Sequence, residues 1–325
     1  MRARIIGTGS YTPPRRMTNA DFEKLVDTSD EWITTRTGIK ERRIADDKMT
    51  SGDMAVEACR RALEMANCPR EEIDLLVVGT VTPDYRLPSC ACVVQEKLGL
   101  PNAVAFDVVA ACAGFISGLS IASSFIESGA YKKILVVGTE KLSAFTNYKD
   151  RNTCVLFGDA AGAAVVAGDN GDRGILSTYL KSDGRMRPLL WAQVGGTANP
   201  YTPDFQFNGS DKIWMNGSDV FKVAVREMAD AIRKVLDKAG VKASQISLVV
   251  PHQANIRIIE ALAKRLKVDM SRVYRNIEMF GNTSAASVPL ALDQANRAGM
   301  IKEGDYVAMV AFGGGLIWGA ALVRW

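Results

Sequence analysis

The only histidine of the 325-residue chain, His252, lies in Pro251-His252-Gln253-Ala254-Asn255, directly after an apolar run of strand character. The carboxyl ends of strands are where α/β proteins bind ligands. Its polar neighbours make the segment a loop, where function concentrates. Cys112 falls between a strand-like and a helix-like stretch, in Asp107-Val108-Val109-Ala110-Ala111-Cys112-Ala113-Gly114-Phe115. A thiol at a helix N-terminus faces free N–H groups and the positive end of the dipole, and both favour the nucleophilic thiolate. Asn282 stands in Gly281-Asn282-Thr283-Ser284-Ala285-Ala286-Ser287, and Phe312-Gly313-Gly314-Gly315 ends another apolar run. Glycines there admit close backbone approach and leave an N–H to face a carbonyl oxygen. Taken singly, each residue has a plainer structural explanation: a supporting histidine, a buried thiol, a flexible turn. Taken together, cysteine, histidine and asparagine suit acyl transfer, with a thiolate to carry the acyl group and nitrogen donors for a developing oxyanion.

Those residues need elements to hold them. Leu75-Leu76-Val77-Val78, Ile134-Leu135-Val136-Val137, Leu248-Val249-Val250 and Val307-Ala308-Met309-Val310 read as buried strands, being short, unbroken and bounded by Gly, Pro or charge. A helix is expected from about Ser218 to Ala239, where apolar residues recur at helical spacing, with Ser218 as its cap and Gly240 after its end. Alternating strands and helices specify an α/β protein. The chain also repeats itself. Glu72-Ile73-Asp74-Leu75-Leu76-Val77-Val78 is echoed by Gln245-Ile246-Ser247-Leu248-Val249-Val250-Pro251, and Gly158–Val165 by Gly315–Leu322. The small-residue helices opened by Cys112 and Asn282 both reach a glycine, Gly129 and Gly299, after 17 residues. A duplication near residue 172 accounts for all three matches. It divides the chain into residues 1–172, with the cysteine, and 173–325, with the histidine and asparagine. Asn282 is then the counterpart of Cys112, and two strand-to-helix corners face one centre.

Composition narrows the field. Apolar residues make up 47% and charged ones 23%, enough for a large core and at odds with disorder. Forty basic against 36 acidic residues leave +4, too little for a protein that wraps nucleic acid. Between Val104 and Ile126 only Asp107 is charged, but the many Ala, Gly and Ser residues there suit an internal helix better than the roughly 20 truly apolar residues of a membrane span. No long apolar run follows the basic N-terminal residues, which argues against a secretory leader. Six cysteines without a CxxC pair, and one histidine, offer little to zinc. Reduced thiols in a cytoplasmic chain are expected. Gly7-Thr8-Gly9-Ser10 opens like a dinucleotide fingerprint, but Pro13-Pro14 block the helix it needs.

In the Cys112 segment, Pro251–Asn255, Gly281-Asn282-Thr283-Ser284, Phe312–Gly315 and Asp30-Glu31-Trp32-Ile33 with Arg36-Thr37-Gly38-Ile39, the chain resembles the β-ketoacyl-acyl-carrier-protein synthase III family. The resemblance runs over essentially the whole length. It implies a thiolase-like fold of two duplicated halves in αβαβα layers. A single histidine sets the chain apart from the elongating condensing enzymes, which use Cys–His–His. By the resemblance Cys112 accepts an acyl group from an acyl-CoA, its N–H and that of Gly314 forming the oxyanion hole. His252 and Asn282 then hold the malonyl thioester as CO₂ leaves. Trp32 and Arg151 correspond to the pair that sandwiches the CoA adenine. Arg36 and Thr37 also match CoA contacts, and Gly217, Phe221 and Asn255 line the pantetheine path. Lys222, Arg257, Lys264 and Arg265 resemble the docking face for malonyl-acyl carrier protein, and Leu87 the residue that reaches the acyl pocket from a partner subunit. A homodimer without metal or organic cofactor is implied, with the CoA thioester as substrate. The segment from about Gln193 to Asn208 looks longer than in compact members and is expected to reshape the pocket mouth. A related condensing enzyme of secondary metabolism, a Cys–His–Asn thioester hydrolase and a non-catalytic acyl-CoA sensor are the alternative readings.

Overall fold

The strands form two large sheets in a computed structural model that describes residues 1–325. The first holds β1 (Arg2–Tyr11), β2 (Leu75–Gly79), β3 (Val104–Val108), β4 (Lys133–Lys141) and β5 (Asp159–Asp169), in the order β1-β5-β4-β2-β3. The second holds β6 (Gly174–Ser182), β7 (Ile246–Pro251), β8 (Tyr306–Gly313) and β9 (Ile317–Arg324), in the order β6-β9-β8-β7. The two orders correspond strand for strand. In each, a parallel pair (β2 with β4, β7 with β8) is followed by antiparallel neighbours. Only β3 lacks a full counterpart. Its place in the second sheet is marked by a single parallel bridge between Val249 and Val273.

Side chains alternate across a strand, and here each face meets a helical layer. The helices are α1 (Asp30–Thr37), α2 (Ser51–Ala66), α3 (Cys90–Leu98), α4 (Gly114–Glu127), α5 (Gly217–Ala239), α6 (Ile256–Leu266) and α7 (Ser287–Arg297). Leu75, Val77, Ile134 and Val136 of the first sheet and Leu248, Val250, Val307 and Met309 of the second share one core with Phe115 and Leu119 of α4 and Val288 and Leu292 of α7. The alternate residues point outward. Leu76, Val78, Leu135 and Val137 pack under α2 and α3, while Val249, Ala308 and Val310 pack under α5 and α6. The result is five layers, αβαβα. Such doubly covered strands read as unbroken apolar runs, which is why four of them were visible in the sequence.

Two expectations need correcting. The cap of α5 is Asn216, whose side chain accepts from the Asp219 N–H, so the helix starts at Gly217 and Ser218 lies inside it. The equal 17-residue spacings are a coincidence. α4 runs for 14 residues and α7 for 11, although both end at a glycine of positive φ, Gly129 and Gly299.

The seam between α4 and α7 depends on glycine. A Cβ on Gly79 would lie 2.7 Å from the Gly114 carbonyl carbon, and one on Gly138 would lie 2.1 Å from the Ala285 carbonyl oxygen. No larger residue lets the two helix starts come so close to the sheet and to each other.

Candidate active site

Cys112 sits in a single 3₁₀ turn, Ala111–Ala113, between β3 and α4. Ala111 has φ +44°, an unusual value for a residue with a Cβ. The matching turn of the second half is Ser284–Ala286, leading into α7, with Ser284 at φ +48°. Registered on these turns, the counterpart of Cys112 is Ala285; Asn282 lies three residues earlier. The expected pseudo-symmetric pairing is therefore wrong by about one helical turn, the amount by which α7 is shorter than α4. Asn282 reaches the site by another route. Its backbone bridges to the segment around Phe157, donating to the Leu156 carbonyl (2.8 Å) and accepting from the Gly158 N–H (3.0 Å). His252 directly follows β7, and its N–H extends the ladder to the Val310 carbonyl at 2.8 Å.

Cys112, His252 and Asn282 line one cavity of about 580 Å³. The Asn282 side chain is oriented by its own turn. Its Oδ1 accepts from the Ser284 N–H at 2.9 Å, which leaves the NH₂ as the free donor. His252 is buried, and burial pulls its pKa down to about 3, so the ring is neutral with one N–H to give. Its Nδ1 has no hydrogen-bond partner. Burial also pushes the Cys112 thiol up to about 12, against a nearby Ser284 hydroxyl that lowers it. The expected bias toward thiolate is thus outweighed by desolvation. A Cβ on Gly313 would stand 2.6 Å from the Cys112 nitrogen. That approach brings the end of β8 against the nucleophile turn and sets Gly314 one residue further on.

Of the other candidates, Trp32, Arg36, Thr37, Gly217, Phe221, Lys222, Asn255 and Arg257 line the same cavity. Several are also committed to the fold. Thr37 is buried, donates to the Ile33 carbonyl and accepts from the Ile39 N–H. Asn255 caps α6 and donates to the Arg36 carbonyl at 2.9 Å, fastening α1 to α6. The Arg151 guanidinium lies 5.0 Å from the Trp32 ring centroid and that of Arg36 4.6 Å from it, so Arg151 must swing out before a base can enter between it and the indole. Lys264 and Arg265 are exposed on α6 and do not line the cavity. Leu87 is 87% exposed and is not part of this chain's cavity. The Gln193–Asn208 segment does not line the cavity either. It carries a cluster of exposed Tyr201 and Phe207 around half-buried Phe205, while flanking Leu190 and Met215 are the residues that do line it.

Two family models match, the 3-oxoacyl-[acyl-carrier-protein] synthase III model over residues 106–184 and its C-terminal model over 236–325. A β-ketoacyl-[acyl-carrier-protein] synthase III from Caldanaerobacter subterraneus is 52% identical over 99% of this chain and 98% of that protein. The chain belongs to the 3-oxoacyl-[acyl-carrier-protein] synthase III family. Among solved structures, the synthase III from Aquifex aeolicus is 50% identical with a TM-score of 0.93, covering 99% of this chain and 100% of the other. That from Thermus thermophilus is 44% identical with the same TM-score, covering 99% of each. The fold is thiolase-like, as the resemblance implied.

Within this synthase III architecture three residues at the site escaped the sequence reading. Glu140, at the end of β4, is fully buried, and burial raises its pKa to about 7 against the hydrogen bonds that lower it. Ser284 donates to its Oε1 at 3.1 Å. Gln253 ties the histidine loop to α7 and to the residues after the Val273 bridge, through Ser287 and Asn276. Glu140 left one signal, a carboxylate closing an otherwise apolar strand. Ser284 and Gln253 left none beyond their neighbours.

Proposed function

We propose that this chain catalyses the decarboxylating condensation of an acyl-CoA with malonyl-acyl carrier protein, giving a 3-oxoacyl-acyl carrier protein, CoA and CO₂, and so initiates fatty acid synthesis. The observation that carries this reading is the single cavity in which a cysteine on a helix N-terminus, a neutral histidine and an asparagine with its NH₂ free come together. Cys112 takes the acyl group, with the N–H groups of Cys112 and Gly314 stabilising the tetrahedral oxyanion. CoA departs, and the malonyl thioester enters. Its carbonyl oxygen receives hydrogen bonds from His252 and Asn282 as CO₂ leaves. A neutral imidazole suits this step, because it donates without losing a proton. The enolate carbon then attacks the acyl-Cys112 carbonyl. The thioester itself stabilises the carbanion, so the reaction as written uses no metal or organic cofactor.

Trp32, Arg36 and Arg151 stand where the nucleotide end of CoA would rest, since guanidinium and indole planes stack on an adenine. The exposed cations Lys222, Arg257, Lys264 and Arg265 steer an acidic carrier protein to the mouth. The working unit is a homodimer. In support, edge strand β3 is unpaired on one side and half-exposed, and Leu87 and Val109 beside it are 87% and 80% exposed. No helix is long and apolar enough to cross a membrane, and a cytoplasmic site of action is part of the same proposal. The discriminating experiment separates the two half-reactions. Asn282→Ala should keep acyl transfer from CoA within a few-fold while condensation falls by about 10²–10³; equal loss of both would refute this division of roles.

A further inference from the structure

One buried carboxylate beside the site has no part in the chemistry proposed above. Glu140, at the end of β4, is fully buried and does not line the cavity. Its Oε2 accepts from Thr82 Oγ1 at 2.6 Å and Thr80 Oγ1 at 3.3 Å, and the Val81 N–H reaches both oxygens at 3.2 Å. The two threonine hydroxyls themselves accept from the Lys141 and Thr82 N–H groups, at 2.9 and 3.1 Å, so their protons are left for Glu140. This side of the carboxylate is thus anchored to the loop after β2. The other side crosses the seam, where Ser284 Oγ donates to Oε1 at 3.1 Å. Gly138 and Glu140 share one face of β4. Gly138 makes room for the Ala285 carbonyl and Glu140 holds Ser284, so the turn before α7 is seated on the opposite half by a close approach and a hydrogen bond. Asn282 depends on that turn. Its backbone is fixed by the Leu156 carbonyl and the Gly158 N–H, which leaves only its amide to rotate. The two ends of an amide are alike in size but opposite in hydrogen bonding. The Ser284 N–H, given to Oδ1 at 2.9 Å, decides which end is free. The turn that aims this N–H has Ser284 at φ +48°, a conformation that residues with a Cβ leave unless held there.

We infer that Glu140 is a positioning residue for the malonyl half-reaction: through the Ser284 hydroxyl it holds the turn whose N–H keeps the NH₂ of Asn282 free to donate. The inference rests on the acyl-transfer reading and deepens it. Glu140 belongs to the first half of the chain, Ser284 and Asn282 to the second, so the donor for the malonyl thioester is set by a clamp from the opposite half. Without the clamp, Ser284 relaxes toward an ordinary φ and its N–H leaves Oδ1. The amide then turns its oxygen toward the substrate as readily as its NH₂. An oxygen there repels the developing enolate oxygen instead of stabilising it. Acylation makes no use of Asn282, so the loss falls on the step that releases CO₂. The role is one of position, not of charge, and glutamine can fill it. Its carbonyl oxygen would face the Thr80, Val81 and Thr82 donors, and its NH₂ would donate to Ser284 Oγ. Leucine, of similar size, can make no such bridge.

The test compares wild type, Glu140→Gln, Glu140→Leu, Ser284→Ala, Asn282→Ala and the double variant Ser284→Ala/Asn282→Ala. Two single-turnover rates are followed by rapid-quench mass spectrometry: loading of Cys112 by acetyl-CoA, and discharge of the loaded enzyme by saturating malonyl-acyl carrier protein. Glu140→Leu and Ser284→Ala should load within about threefold of wild type and discharge about tenfold more slowly, the scale of the left-handed penalty that the clamp offsets. Glu140→Gln should discharge within about threefold of wild type, a rescue by position alone. In the double variant Ser284→Ala should add nothing to the loss from Asn282→Ala, because it acts only through that residue. Circular dichroism and thermal melting show whether Glu140→Leu has failed to fold, and Ser284→Ala, which removes one oxygen atom, then decides. Equal losses in loading and discharge, losses that multiply in the double variant, or a Glu140→Gln as slow as Glu140→Leu would overturn the inference. So would discharge by Ser284→Ala at less than a threefold loss. Wild-type protein that never loads would instead bring down the acyl-transfer reading, and the inference with it.

Discussion

Two buried groups at the site make opposite demands on pH. His252 titrates at about 3 rather than 6.5. Between those values the unfolded chain binds more protons, so this contribution to stability is complete above pH 6.5 and is lost as pH falls toward 3. Glu140 titrates at about 7 rather than 4.5. There the folded chain binds more protons, so its contribution is complete below pH 4.5 and is lost as pH rises through 7. Glu140→Gln removes only the second effect. Its stability relative to wild type should therefore improve between pH 4.5 and 7.5, by at most about 3 kcal/mol, since one pKa unit corresponds to about 1.4 kcal/mol. Urea denaturation of both proteins across that range measures the difference, and a difference independent of pH would contradict the buried-carboxylate account. At this scale Cys112, His252 and Asn282 were legible in the sequence, because each is a reactive or polar residue beside an apolar run. Glu140 and Ser284 were not. Their meaning lies in burial and in a contact across 144 residues, which neither spacing nor periodicity encodes.

At the scale of elements, the two helix starts must pack almost backbone to backbone. Gly138→Ala places a Cβ 2.1 Å from the Ala285 carbonyl oxygen, a rigid backbone atom. Overpacking of this kind costs about 1–3 kcal/mol. The melting temperature should fall, and acylation should weaken because the displaced Ser284–Ala286 turn packs against the helix start that follows Cys112. Gly184→Ala, where nothing lies within 4 Å, should be close to neutral in the same thermal scan; equal effects would show that the seam is not tight. The strands were legible because both their faces are covered, which leaves continuous runs such as Leu75–Val78. The duplication was legible in its order but not in its register. Equal distances to Gly129 and Gly299 concealed a helix shortened by three residues, and Asn282 was matched to Cys112 where Ala285 belongs. The cap of α5 was misplaced for a smaller reason: Asn216 and Ser218 are both good caps, and only the hydrogen bond to Asp219 distinguishes them.

At the scale of the whole molecule, αβαβα layering places the nucleophile corner of one half against the donor residues of the other, so neither half holds a complete site. The same architecture leaves β3 as a half-exposed edge with Leu87 and Val109 beside it. Dimerisation along that edge predicts that a charged residue in place of Val104 or Val109 shifts sedimentation from dimer to monomer; a wild-type protein that sediments as a monomer at tens of micromolar would contradict it. The central claim is that Cys112 carries the acyl group from CoA to the malonyl carbanion, and intact-mass spectrometry with peptide mapping addresses it most directly. After mixing with acetyl-CoA, the account predicts one acyl group per chain on Cys112, absent in Cys112→Ala and discharged as 3-oxoacyl product when malonyl-acyl carrier protein is added. An adduct on another cysteine such as the exposed Cys92, or condensation that survives Cys112→Ala, would contradict it.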